Sequence, residues 1–332
     1  MGGINPVLDV LVCAFNEAGN IPRLLKSLRR QSVGLGAFRV IVVDNASTDR
    51  TGQAVEEHGI GLNLAYVPEP RLGLNHARNA GYRHARAPYV AHIDADAQAD
   101  TRWVETIIRV IRTVQPDLCG GPYFPYYFGP KPAWFLDRYN SNYKGPAPRY
   151  LGDDEHLSGT NMIWRRALVE RVGSFRLDVG LTGRNLPRGD ETNLILRARE
   201  QIPDFKAYYH PGIVVHHLTR PETTSLRYWL RRSFAAGRQH NKVFNIALHD
   251  RAWVYLLGRL LKTAALVGGR SAKMCLVRDR TVFPYWQNYV YECSLPDIYR
   301  LGRLWEAVTG WSQPTGTQVK DGFRAKCAQV GS

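Results

Sequence analysis

Short apolar runs of strand length alternate along the first half of the chain with longer stretches whose apolar residues recur at helical period. The runs Leu8 to Cys13, Phe38 to Val43, Leu62 to Val67, Tyr89 to Ile93 and Leu118 to Gly120 are dominated by aliphatic and β-branched residues. Such runs suit strands buried on both faces, as in a parallel sheet. Between the first two, Asn20-Ile21-Pro22 offers a cap and an early proline for a helix whose Ile21, Leu24, Leu25 and Leu28 form one apolar stripe. Asp100-Thr101 stands ahead of a second amphipathic stretch, Trp103 to Val114. This alternation predicts an α/β fold with a mixed, mainly parallel sheet flanked by helices.

Polar clusters sit where the apolar runs end. They are Ala14-Phe15-Asn16-Glu17, Asp44-Asn45-Ala46-Ser47-Thr48-Asp49, Arg71-Leu72-Gly73-Leu74-Asn75-His76-Ala77-Arg78-Asn79 and Asp94-Ala95-Asp96. The carboxyl ends of strands in an open parallel sheet line one crevice, so these groups are expected to converge there on a ligand. Asp94 and Asp96, two apart in an extended segment, lie on one face and suit a hard divalent cation, which takes carboxylates together with substrate phosphates. A turn in which an acid caps the next helix is the competing reading, and Asp100 is better placed for that task. The pattern points to an enzyme that holds a phosphorylated, metal-bound small molecule.

Taken in order, these motifs resemble the family 2 glycosyltransferases, inverting enzymes of the GT-A (Rossmann-like) fold that use nucleotide sugars. The resemblance runs from about Val7 to Gly237. Val12-Cys13-Ala14-Phe15-Asn16-Glu17 is similar to the family's first strand and donor-binding turn, with Phe15 in place of the common Tyr. Asp44-Asn45-Ala46-Ser47-Thr48-Asp49-Arg50-Thr51 is similar to the element whose first Asp reads the base. Gly73-Leu74 with Ala77-Arg78-Asn79 resembles the Ala-Arg-Asn element beside the donor, and His92-Ile93-Asp94-Ala95-Asp96 resembles the metal-binding Asp-x-Asp. The resemblance implies that Ala14, Asn16, Glu17, Asp44, Arg71, Asn75, Arg78 and Asp94 border the donor, and that Asp94 and Asp96 hold Mn2+ or Mg2+. Related enzymes recruit a late His to the metal. Of His216 and His217, whose side chains point to opposite faces of a strand, His216 is the expected ligand.

The acceptor side is implied in the same way. Ser158-Gly159-Thr160-Asn161-Met162 with Arg165-Arg166 resembles the Gly-x-Asn strand and turn, which assigns Gly159 and Asn161 to the acceptor. Arg188-Gly189-Asp190-Glu191-Thr192-Asn193-Leu194 resembles the family's Gly-Glu-Asp element with the two acids exchanged. Register favours Glu191 as the catalytic carboxylate, with Asp190 the other candidate. An acceptor hydroxyl is a poor nucleophile at neutral pH and needs such a carboxylate to take its proton. Acids opening a helix also serve its macrodipole, and without the resemblance that reading would prevail. The insertion Pro122 to Leu157, rich in Pro, Gly and aromatics and containing Trp134, is assigned to the acceptor channel, against a packed surface loop.

Composition narrows the remaining classes. At 332 residues, with 44% hydrophobic and 22% charged residues, the chain is ordinary globular protein rather than disordered. Cys13, Cys119, Cys275, Cys293 and Cys327 are scattered without a Cys-x-x-Cys, which predicts reduced thiols rather than a zinc site or a disulfide framework. The N-terminus lacks the basic start and apolar core of a signal peptide, so a cytoplasmic protein is expected. A net charge of +15 is concentrated: residues 223 to 280 hold twelve Lys or Arg against Asp250 and Asp279. Arg227, Arg231, Arg238 and Lys242 fall on one helical stripe, which reads as peripheral contact with an anionic membrane on its inner face, or else as a solvated face or anionic acceptor site. Trp253 to Val267 is apolar but short for a membrane span.

The expected organisation is a GT-A catalytic domain over 1–222, a basic helical region over 223–311 and a flexible tail over 312–332. The expected partners are a nucleoside diphosphate sugar, most favourably of UDP, and a glycan or lipid-linked acceptor. A dinucleotide oxidoreductase would need a glycine-rich turn after the first strand, which Ala14 to Asn20 lacks. A nucleic-acid binder would leave the acidic pair idle, so no nucleic acid is expected. A noncatalytic nucleotide-sugar binder stays open as an alternative.

Overall fold

The computed structural model describes residues 6–179, 189–244, 253–277 and 279–309. The expected tail over 312–332 lies outside the described residues. In chain order the elements are β1 (Leu8–Ala14), α1 (Ile21–Arg29), β2 (Phe38–Asp44), α2 (Thr51–His58), β3 (Leu64–Pro68), α3 (Leu74–His84), β4 (Tyr89–His92), β5 (Ala97–Ala99), α4 (Trp103–Thr113), β6 (Leu118–Gly120), β7 (Tyr123–Tyr126) and β8 (Arg149–Tyr150). There follow β9 (Met162–Arg165), α5 (Arg166–Arg171), α6 (Asp190–Gln201), β10 (Ala207–Tyr209), β11 (Val215–Leu218), α7 (Leu226–Val243), α8 (Trp253–Val277), α9 (Trp286–Tyr289) and α10 (Leu295–Thr309).

The large sheet has the order β3-β2-β1-β4-β9-β6-β10-β8. Neighbours β3, β2, β1 and β4 run parallel, whereas β9 is antiparallel to both β4 and β6. The period-2 pattern of β1 explains its burial: Leu8, Val10, Val12 and Ala14 enter one core with α1 and α4, and Leu11 enters the other with α3 and α6. Both faces are covered, as the continuous apolar runs require.

A second, three-stranded sheet of order β5-β11-β7 stands beyond the end of β4. Antiparallel pairing of β11 with β5 sets His216 opposite Gln98 and His217 opposite Ala97, just after the Asp94-Ala95-Asp96 segment. The first helix departs from expectation at its cap. Asn20 adopts a helical backbone without capping, and its amide donates instead to Glu17 Oε2 at 2.7 Å.

The insertion is a seam more than a channel. Trp134 is buried to 7% exposure in a cluster with Phe135, Tyr139, Trp229 and Leu295, joining the insertion to α7 and α10. Its assignment to the acceptor is therefore corrected: an indole enclosed by other aromatics presents no face to a ligand. Arg227, Arg231, Arg238 and Lys242 are all exposed on α7, but Arg238 is tied to α10 through Glu306 Oε2 at 2.8 Å. Among the described residues, no helix is long and apolar enough to cross a membrane.

Candidate active site

Two turns at the ends of β1 and β2 lock together. Asn16 sits in the left-handed region at φ 56°, which Asn tolerates better than most residues. Its backbone N–H donates to Ser47 Oγ at 2.9 Å, and its Oδ1 accepts from the Thr48 N–H at 2.8 Å. Asp44, at the end of β2, accepts from the Ser47 N–H at 3.0 Å and from the Tyr66 hydroxyl at 2.6 Å. The Ala14 carbonyl accepts from the Asn45 N–H, which continues the β1–β2 ladder. Arg71 forks onto Glu69 at 2.7 and 2.8 Å with most of its length exposed.

Beyond β4, two carboxylates and an imidazole meet. His217 Nε2 lies 3.2 Å from Asp94 Oδ2 and 3.3 Å from Asp96 Oδ1. One ligand atom from each of the three lies within 4.8 Å of the others. Two hard oxygens and one imidazole nitrogen fit Mn2+ or Mg2+. His216 does not take part: pairing with β5 turns it to the other face of β11, where its ring stands 6.5 Å from Phe124. The expected ligand is corrected to its neighbour.

Arg220 completes this corner, and sequence reasoning missed it. Its Nε and Nη2 donate to Asp96 Oδ2 at 3.1 and 2.9 Å, and Nη2 also reaches Glu17. Burial pushes the Glu17 carboxyl up, while Asn20 and Arg220 pull it back. A single Arg after a strand has no local pattern to mark it; only its place shortly after the His pair was a clue.

Glu191 and Asp190 open α6 behind Gly189, whose φ of 114° is a left-handed conformation. Both carboxylates pair with Arg78: Nη1 meets Asp190, and Nη2 stands 2.8 Å from Glu191 Oε1. Arg78 and Asp190 side chains are each 3% exposed, whereas Glu191 is 20% exposed and is the one that solvent reaches. Burial raises both carboxyls. For Glu191 the Arg78 guanidinium more than reverses this and holds it below the usual range, while the repulsion of its neighbour leaves Asp190 raised. The Glu191 charge opposes ionisation of Asp94, though less than His217 and Arg78 favour it. Gly159 makes room: a Cβ there would lie 1.9 Å from Glu191 Oε1 and 2.7 Å from Arg78 Nη2.

Three expected ligand contacts turn out to be internal ties. Arg78 is committed to the two acids rather than to a donor. The Asn75 amide donates to the Arg176 and Val179 carbonyls, both at 2.7 Å, fastening α3 to the segment ahead of α6. Asn161, fully buried, accepts from Trp103 Nε1 at 2.9 Å and donates to the Pro122 and Ile213 carbonyls at 2.8 and 2.7 Å. Arg78 and Asn161 are spent on packing because a buried guanidinium or amide must be paired, whereas Asn75 Oδ1 is buried without a partner among the described residues.

The mixed, mainly parallel sheet flanked by helices is a GT-A fold. Residues 9–173 match Glycosyl transferase family 2, and the chain belongs to that family. Validoxylamine A glucosyltransferase of Streptomyces hygroscopicus subsp. jinggangensis is 35% identical over 105 residues, 31% of this chain and 25% of that protein. Glycosyltransferase AglE of Haloferax volcanii is 28% identical over 173 residues, 51% of this chain and 56% of that protein. The chain thus spans a quarter to just over half the length of these relatives. Among solved structures, the mannosyltransferase PcManGT of Pyrobaculum calidifontis, in complex with GDP-Man and Mn2+, superposes with TM-score 0.59 at 19% identity, covering 92% of this chain and 86% of that one. S. aureus TarS 1–349 in complex with UDP superposes with TM-score 0.52 at 16% identity, covering 95% and 94%.

Proposed function

We propose that the protein transfers a sugar from a nucleoside diphosphate, most favourably UDP, to a hydroxyl of a glycan or lipid-linked acceptor, with inversion at the anomeric carbon. The observation that carries this reading is the meeting of Asp94, Asp96 and His217 beyond β4, together with a second carboxylate, Glu191, held by Arg78 at the start of α6. Asp44, at the end of β2, would read the base, and Asn16, Glu17 and Arg71 would border the nucleotide. Asp94, Asp96 and His217 would hold Mn2+ or Mg2+, which when bound supplies neutralisation of the charge on the departing diphosphate. PcManGT with its GDP-Man and Mn2+ supports a metal-assisted site, and TarS with UDP supports the choice of nucleotide.

In the reaction the acceptor oxygen forms a bond to the anomeric carbon as the bond from that carbon to the diphosphate oxygen breaks. Glu191, ionised and open to the crevice, takes the hydroxyl proton. Attack from the face opposite the leaving group inverts the configuration. A thermal-shift screen of UDP, GDP and their sugars with Mn2+ tests the donor, and the anomeric proton coupling of the product tests inversion. Stabilisation by UDP with Mn2+ and an inverted product are expected; a retained configuration overturns the mechanism.

Residues 1–222 are read as the catalytic unit and 223–311 as its lipid-facing part, on the inner face of the cell membrane. The favouring observation is α8, which contains no Asp or Glu and exposes Tyr255, Leu261 and Leu266 beside Arg259, Lys262 and Arg270. Flotation with anionic vesicles at low salt, lost at high salt, is expected. Failure to float with those vesicles rejects the membrane reading.

A further inference from the structure

Asp96 is gripped from two sides. Its Oδ1 faces His217, 3.3 Å away, and the Asp94 carboxylate, whereas its Oδ2 receives two N–H groups of Arg220. The same guanidinium extends to Glu17 on the turn after β1. One side chain from the turn after β11 therefore joins the acid pair to the β1 turn. It is still 38% exposed, so a ligand in the crevice can reach it.

We propose that Arg220 is a second cation of the diphosphate site and makes metal and nucleotide bind as a pair. The proposal rests on the function proposed above. A divalent ion at Asp96 Oδ1 and a guanidinium on Oδ2 draw on one carboxylate and repel each other, so Arg220 lowers the affinity for metal alone. A diphosphate carries negative charge on adjacent phosphoryl groups and is attracted to both cations at once, which offsets their repulsion. Metal and nucleotide then each raise the affinity for the other, by the same factor in either order. Glu17 serves as a second anchor for the guanidinium while Asp96 is shared. The consequence is a site that takes up its cation with the donor and releases it with the spent nucleoside diphosphate.

The test compares the full-length protein with Arg220→Gln and Arg220→Lys. Mn2+ alone is titrated by the electron paramagnetic resonance of the free ion, and UDP and GDP are titrated calorimetrically with and without Mn2+. Arg220→Gln is expected to bind Mn2+ alone about threefold more tightly and to bind the preferred nucleotide with Mn2+ about tenfold less tightly, because a charge-assisted bond is lost. Arg220→Lys, which keeps the charge, is expected to retain most of the coupling. A coupling factor unchanged in Arg220→Gln, or equal weakening of Mn2+ alone and of nucleotide, reduces Arg220 to a brace for Asp96 and overturns the proposal. If the wild type binds neither Mn2+ nor either nucleotide, the proposed function fails with it; wild-type coupling with an unaltered variant fails this inference alone.

Discussion

Nη2 of Arg78 stands 2.8 Å from Oε1 of Glu191, and the same guanidinium pairs with Asp190. A cation 3% exposed, carried by α3, thus fixes two acids at the start of α6 and leaves only the second open to solvent. The arrangement distinguishes the two carboxylates: Asp190 completes a buried pair, and Glu191 keeps the greater exposure.

Glu191→Gln keeps the shape and a hydrogen-bonding partner for Arg78 but removes the proton acceptor. Turnover is expected to fall about 10²- to 10⁴-fold, the usual contribution of a general base. Mn2+-dependent nucleotide binding, measured by calorimetry, is expected to stay within a factor of two or so of the wild type. Unchanged turnover would remove Glu191 from the mechanism.

Gly159→Ala tests the same corner through space instead of charge. The added methyl meets the Glu191 carboxylate and the Arg78 guanidinium, groups held by each other and by Asp190 and therefore unable to give way freely. The expected result is a lower kcat with little change in nucleotide affinity, at a stability cost of about 1–3 kcal/mol for overpacking. Denaturant unfolding and steady-state kinetics on the same preparation separate the two effects.

The adjacent histidines offer a matched pair. His217→Ala is expected to weaken Mn2+ binding about tenfold or more, whereas His216→Ala, on the opposite face of β11, is expected to leave it unaltered. Equal effects of both substitutions would contradict the geometry around Asp94 and Asp96.

His240 carries a pH dependence at the packing of α7 on α10. Burial lowers it from 6.5 to about 4, the nearby Arg303 charge adds to this, and its Nδ1 lies 2.6 Å from the Tyr299 hydroxyl with the Phe244 ring alongside. In the unfolded chain the imidazole binds its proton near 6.5, so the unfolded state holds more protons between 6.5 and about 4. Stability therefore falls as the pH drops through that window. Thermal midpoints of wild type and His240→Gln measured from pH 7 to 4 should show a shallower decline in the variant.

Much of the scaffold was legible in the chain because sheet cores repeat a simple period. Leu8 to Cys13 and Phe38 to Val43 end within one residue of β1 and β2, and Trp103 to Val114 within one residue of α4. Leu62 to Val67 began two residues early, since Leu62 and Asn63 lead into β3 without joining it. Asn20 does not cap because its own backbone is already helical, and its side chain turns back to donate to Glu17. Motif order brings Asp44, Asp94, Asp96 and Glu191 forward as site candidates. Asn75, Arg78 and Asn161 were also noticed, but as ligand contacts, because sequence shows a polar side chain and not what lies across from it.

The chain by itself determined that polar groups would gather at the ends of buried strands, because an apolar run must stay inside and its ends must emerge. Tertiary structure decided how those groups were spent. Strand period makes His216 and His217 face opposite ways, but only the pairing of β11 with β5 selects the one that joins the acids. Residues as distant in sequence as Glu17, Asp96 and Arg220 become one charged unit, as do Arg78, Asp190 and Glu191. Hydrogen bonding and charge pairing act over about 3 Å in space without regard to separation along the chain, so their partners are settled only when the fold closes.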